Sequence, residues 1–185
     1  ATGSRFPWHD GVDPAGAMPP CWSQEQFAGS VLSWTFIAGS GTAHPAVAHQ
    51  GKYNANLNDF TSNDTRTRLV TPVLNLESLP IPVLTFWHTQ SAWSEEQDQL
   101  AVYYKTTGDS LWHSLETYTS SIDTWTQETI ILPGKSSGYQ VAFEGNAKWG
   151  YGICIDDVTV AGTNISLWDG SVNSDWNTPG NWTDN

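Results

Sequence analysis

Residues Gly152 to Val160 read GICIDDVTV, an apolar, β-branched run interrupted by two adjacent carboxylates, Asp156 and Asp157. A strand that buries its apolar side chains cannot cheaply hold two unpaired charges beside them. Either both aspartates lie at a solvated strand edge, or at least one meets a cation or strong hydrogen-bond donors. The second reading points to a hard-cation site, above all calcium, whose ligands are oxygens.

Other chemistry-bearing groups are sparse. There is no HExxH or P-loop pattern. His44 and His49 lie in a loop rich in Gly, Ala and Pro, a poor spacing for a zinc site, and read as solvated or turn-capping. His9 beside Asp10 and His88 within a strand carry no stronger signal. Glu95, Glu96 and Asp98 form an acidic loop after Trp93. They have the residue types of a glycosidase pair, but read as a solvated loop. No catalytic residue is expected, and the chain is not read as an enzyme.

Eleven tryptophans are present. Trp34, Trp87 and Trp125 read as core or strand-edge packing. Trp93, Trp112 and Trp149 lie in or beside loops, where an exposed ring next to polar groups can stack on a sugar; they are the candidate ligand contacts, with packing as the alternative. The two cysteines, Cys21 and Cys154, are too far apart for a CxxC motif. They read as one disulfide clamping the first strand region to the last, as suits a secreted protein, or as two free, buried thiols.

The elements that must position these residues are strands. Val31–Ile37, Arg68–Leu74, Pro82–Thr89, Gln99–Thr106, Leu111–Leu115, Trp125–Leu132, Gly138–Glu144 and Tyr151–Val160 carry the signal. Leu100, Val102 and Tyr104 share one face of their strand, as do Tyr139, Val141 and Phe143, because side chains alternate along a strand. Eight to ten short strands between turn signals predict an all-β fold, an antiparallel β-sandwich of jelly-roll type. No helix is expected beyond a turn at Ser23–Phe27.

Seven Lys and Arg against nineteen Asp and Glu leave a formal charge of −12. Phosphate binding needs cations, so nucleic acid is disfavoured as a partner. No apolar run is long enough to cross a bilayer as a helix, and Ala1-Thr2-Gly3-Ser4 shows no signal-peptide pattern. After Val160 the composition changes, and Trp168-Asp169-Gly170 and Trp176 to Trp182 are dense in Trp, Asn and Gly. The expected division is a sandwich over 1–162 and, over 163–185, a linker with the truncated start of another module, with a tail folded back on the sandwich as the alternative; either way a larger multidomain protein is expected.

The ordered series Phe6-Pro7-Trp8, Val12-Asp13, Pro19-Pro20-Cys21-Trp22, Trp34, His44-Pro45, His49-Gln50-Gly51, Leu69-Val70-Thr71-Pro72, Leu84-Thr85-Phe86-Trp87, Leu100-Ala101-Val102-Tyr103, Trp125, Tyr139 to Gly145 and Ile155-Asp156-Asp157-Val158 resembles the MAM domain. It also resembles that domain's bacterial relatives, the cleaved-adhesin or choice-of-anchor jelly rolls, with a concanavalin-like or galactose-binding-like sandwich. The resemblance implies a non-catalytic adhesion or interaction module of a secreted or cell-surface protein, with an extracellular protein or glycan as partner. A carbohydrate-binding module appended to a secreted enzyme is the alternative. It also implies structural calcium between the acidic residue near the first strand, here Asp13, and the last strand's Asp156 or Asp157. Ala48 departs from the pattern, because MAM domains often carry Asp in that segment, and Asp13 is shorter than the usual Glu.

Overall fold

The computed structural model describes residues 5–13, 16–27, 31–60, 65–163 and 170–181. Its strands are β1 (Trp8–Asp10), β2 (Ser23–Gln26), β3 (Thr35–Ile37), β4 (Asn54–Leu57), β5 (Thr65–Val70), β6 (Ile81–Gln90), β7 (Gln99–Lys105), β8 (His113–Tyr118), β9 (Ile122–Ile131), β10 (Gln140–Ala147) and β11 (Ile153–Thr163). Two antiparallel sheets result. One runs β3-β4-β11-β6-β9 with β1 also on β11, and the other runs β2-β5-β10-β7-β8. This is the expected all-β sandwich.

The two sheets bury their inward faces against each other. Leu84 and Phe86 of β6 and Ile153 and Ile155 of β11 meet Leu100, Val102, Val141 and Phe143 of the facing sheet, all of them fully buried. Phe86 and Phe143 touch edge to face at 5.1 Å, an arrangement that suits the opposite partial charges of ring edge and ring face. The alternation read from the sequence in β7 and β10 thus faces the core, although Tyr104 is only partly buried at its margin.

Two local expectations are corrected, and β4 is a strand that the pattern does not predict. Ser23–Gln26 is an edge strand paired with β5, not a turn. β4 alternates over only four residues, Asn-Ala-Asn-Leu, too short a run to stand out: Ala55 and Leu57 enter the core, while buried Asn54 accepts from Gly39 N and donates to Gly39 O. The Cys21–Cys154 disulfide is not formed. Both cysteines are free, Cys154 fully buried and Cys21 exposed. Cys154 lies in the middle of one sheet, between β4 and β6. Cys21 precedes an edge strand of the other sheet.

Burial pushes the Cys154 thiol up to about 12, so it holds its proton and is a poor nucleophile. A disulfide-exchange reagent should therefore titrate one thiol per native chain, Cys21, and two in denaturant. Two reactive thiols in the native state would contradict this burial.

β11 runs one residue past the expected boundary at 162. In the segment 170–181, Asn181 is buried, accepts from Val172 N and Asn173 N, and donates to Asp175 O, so it centres a small turn. Trp168, Asp169 and Trp182 lie outside the described residues.

Candidate functional site

β11 pairs with β6 along one side but changes partner on the other. Ile153–Ile155 pair with β4, and Val158–Val160 pair with β1. Asp156 and Asp157 fall at the seam between them. Across from β6, Asp156 faces Trp87 and Thr159 faces Thr85, so two residues of β11 oppose Phe86 alone. That is a bulge, and Asp157 sits in it with φ of 49°, a left-handed conformation that Asp tolerates better than most residues. The bulge breaks strict alternation, so both carboxylates reach the same loop.

Asp156 is fully buried and saturated by backbone donors. Its Oδ2 accepts from His49 N at 2.9 Å and Gln50 N at 3.1 Å, and its Oδ1 from Asp157 N at 2.8 Å. Burial pushes its carboxyl up to about 6, and the neighbouring Asp157 pushes the same way, against the lowering effect of those N–H groups. Asp157 Oδ2 pairs with His49 Nδ1 at 2.5 Å. The His49 ring stacks on Trp87 at 3.9 Å, and Trp125 donates its indole N–H to Val47 O. Sequence reading had placed His49 among solvated or turn-capping residues. Its role depends on a pairing with residues more than a hundred positions away, which local pattern cannot carry.

A cavity of about 130 Å³ adjoins the seam, lined by His9, Gly11, Asp13, Gln50, Gly51 and Asp157. Asp13 Oδ1 accepts from Lys52 N and Tyr53 N, and its Oδ2 lies against Gly51, where a Cβ would collide with the carboxylate. Asp157 Oδ1 is buried and accepts no hydrogen bond; His9 Nε2 stands 3.7 Å away. A buried carboxylate oxygen without a donor is the feature expected where a cation belongs. Among the described residues no group of three or more His, Cys, Asp and Glu could hold a metal. A hard cation in this cavity would meet two carboxylates, Asp13 and Asp157, and would need carbonyls and water for the rest. Asp156 holds the loop rather than offering a free oxygen.

The candidate tryptophans divide. Trp93 and Trp149 meet Phe60 and Tyr151 around a cleft of about 310 Å³; Trp112 lies elsewhere, on the outer face of the second sheet. Trp93 is 48% exposed and starts a tight hairpin closed by reciprocal backbone bonds with Glu96. Trp149 has φ of 66°. Asp98 imposes that shape: its carboxylate is 1% exposed and accepts from Lys148 N, Gly150 N and Gly152 N at 2.6, 3.0 and 2.9 Å. A Cβ at Gly150 would lie 2.5 Å from Asp98 Oδ2. Tyr151 is fixed by Ser91 O, which accepts its N–H, by Thr42 and Asn58, which donate to its carbonyl, and by His44 stacked on its ring at 4.0 Å.

The solvated reading of the acidic loop holds for Glu95 and Glu96, which are exposed, but fails for Asp98. Phe60 and Tyr151 were missed altogether. Their positions in two separate connections gave no local sign that they would converge.

A model of the MAM domain (meprin/A5/mu) matches residues 17–164. No curated protein matches the chain significantly. Among solved structures, a cleaved adhesin domain of Lys-gingipain from Porphyromonas gingivalis is similar with a TM-score of 0.66 and 20% identity, covering 85% of this chain and 98% of that one. TmCBM61 in complex with β-1,4-galactotriose gives 0.56 and 16%, covering 80% and 92%. The CBM22-1 xylan-binding domain of Paenibacillus barcinonensis Xyn10C gives 0.56 and 12%, covering 87% and 96%. At these identities the likeness is one of fold. Among the described residues no helix is long and apolar enough to cross a membrane.

Proposed function

This chain belongs to the MAM domain family, and from that premise we propose that it is a non-catalytic adhesion or interaction module of a secreted or cell-surface protein, with the aromatic cleft as its contact surface for a glycan. The observation that carries this reading is the convergence of Phe60, Trp93, Trp149 and Tyr151 from three connections around one cleft. The apolar face of a sugar ring stacks on such rings. Rings held in place before binding lose little freedom when the ligand arrives. The volume, about 310 Å³, lies at the lower end of ordinary ligand pockets. The galactotriose and xylan in the names of the fold neighbours make β-1,4-galactan and xylan sensible first probes.

The nearby carboxylates favour binding over hydrolysis. Asp98 is taken up by three backbone donors, and Glu95 and Glu96 stand exposed on the hairpin. The reading also includes structural calcium, held by Asp13 and Asp157 with carbonyl and water oxygens completing its shell. The ion would neutralise the seam and tie the segment after β1 to the last strand.

The cleft is tested by glycan binding of the intact chain and of the Trp93→Ala/Trp149→Ala double variant. Loss of two stacking faces should weaken binding at least about tenfold, with the circular dichroism spectrum unchanged. A double variant that binds glycan as the parent does would remove the cleft from the account.

A further inference from the structure

On the outer face of the second sheet, Glu25, Arg68 and Glu144 stand directly opposite one another on β2, β5 and β10. Arg68 donates through Nε and Nη2 to Glu144 Oε2 at 2.8 and 2.7 Å, and its Nη1 lies 3.6 Å from Glu25. Glu144 is 6% exposed. The guanidinium stacks 4.9 Å from the ring centres of Phe27 and Tyr103 and 5.8 Å from that of Trp112. Trp112 donates its indole N–H to Glu25 at 3.0 Å, and Lys105 Nζ lies 5.7 Å from its ring centre. Among the described residues Lys105 forms no ion pair. An open groove of about 430 Å³ runs between Glu25, Arg68, Lys105, Ser110, Leu111 and Trp112.

Three properties decide what fits. First, the charges largely offset one another: Glu144 is shared by Arg66 and Arg68, and Glu25 stands beside Arg68, so the groove carries at most one cation in excess, that of Lys105, and offers only a weak net field. The chain as a whole carries −12 and repels a polyanion at long range. Second, the polar groups are held before any ligand arrives, because a ring-stacked guanidinium that donates twice to one carboxylate oxygen has little freedom left to lose. Third, donors (Lys105, the Ser110 hydroxyl) and an acceptor (Glu25) stand beside an indole. A pyranose matches that set, since each hydroxyl both donates and accepts while the C–H face of the ring is apolar.

We propose that this groove is a second glycan-binding site, independent of the loop cleft, for a neutral pyranose unit of a polysaccharide. The sugar ring lies against Trp112, and its hydroxyls bond to Lys105, Ser110 and Glu25. Two sites on one module let a long chain engage both, which raises avidity without tighter single contacts.

The test is a titration of the ¹⁵N-labelled chain with neutral xylo- and galacto-oligosaccharides, and with digalacturonate as the acidic comparison. Indole N–H signals are assigned from Trp112→Phe, Trp93→Phe and Trp149→Phe variants. The Trp112 signal should shift saturably with a neutral oligosaccharide. Trp112→Ala removes that reporter, so its affinity is read by calorimetric titration in the Trp93→Ala/Trp149→Ala background, where it should fall at least about tenfold below that of the background alone. Lys105→Met, which leaves the Arg68 network intact, should weaken it about fivefold. It provides the same test if Trp112→Ala does not fold. Shifts confined to Trp93 and Trp149 would overturn the second site while sparing the cleft. A Trp112 response to digalacturonate alone would overturn the neutral ligand, and no shift at any indole would overturn both sites.

Discussion

Asp98→Ala is expected to destabilise the chain by about 3 kcal/mol or more and to abolish binding in the aromatic cleft, although Asp98 does not line that cleft. Its buried carboxylate accepts the N–H groups of Lys148, Gly150 and Gly152. Each buried donor left without a partner costs about 1–3 kcal/mol. The loop relieves part of that cost by opening, and opening moves Trp149 out of its left-handed conformation, so stability and binding fall together. Asp98→Asn keeps the volume and one acceptor and should lie between the two. Urea unfolding with calorimetric binding on the same samples checks both effects. An Asp98→Ala protein with parental stability and affinity would show that the loop holds its shape without this carboxylate.

The second large effect is calcium on stability, read against pH. Asp156 carries a carboxyl raised from 3.8 to about 6, which corresponds to about 3 kcal/mol between its protonated and ionised states. In the unfolded chain the group ionises near its ordinary value, while in the folded chain it keeps its proton longer. The contribution is fully present below pH about 4 and is lost as pH rises through about 6, so the metal-free chain weakens across that window.

A divalent ion at Asp13 and Asp157 opposes this by holding negative charge favourably at the seam. At a hundredfold excess over its dissociation constant it should add about 2.7 kcal/mol, or about 5–10 °C in Tm for a chain of this size. The gain should be larger at pH 7 than at pH 5, where protons compete. Differential scanning calorimetry in calcium and in chelator, with Asp13→Asn and Asp157→Asn, measures it. Equal melting in chelator and calcium at pH 7 would remove the ion from the account. A full calcium response in Asp157→Asn would move it elsewhere.

The legible parts of the fold were those governed by period. Leu100 and Val102, and Tyr139, Val141 and Phe143, declare an inward face because alternate side chains must share one side of a strand, and all are buried. β4 was illegible because its core residues, Ala55 and Leu57, are only two and alternate with buried amides, and β2 because its exposed polar residues look like a turn. In the candidate sites, Asp156 and Asp157 announced themselves as charge within an apolar run. Nothing in that run showed that Asp156 would be saturated by the backbone of His49 and Gln50 while Asp157 kept an oxygen free. That division follows from the bulge and from the change of partner from β4 to β1, both set by register across strands distant in sequence.

The sequence by itself determined the all-β sandwich, the inward faces of β7 and β10 and the exceptional character of the Asp pair. All three follow from alternation, composition and the cost of buried charge, which are local or additive properties. The tertiary structure alone decided that Cys154 lies inside one sheet while Cys21 precedes an edge strand of the other, that Asp98 is a buried loop anchor, that Trp93 and Trp149 share a cleft with Phe60 and Tyr151, and that Trp112 belongs to an Arg68-centred groove. Each of these depends on which connections meet at one end of the sandwich and which strands lie side by side, and contacts of that kind leave no periodic mark in the chain.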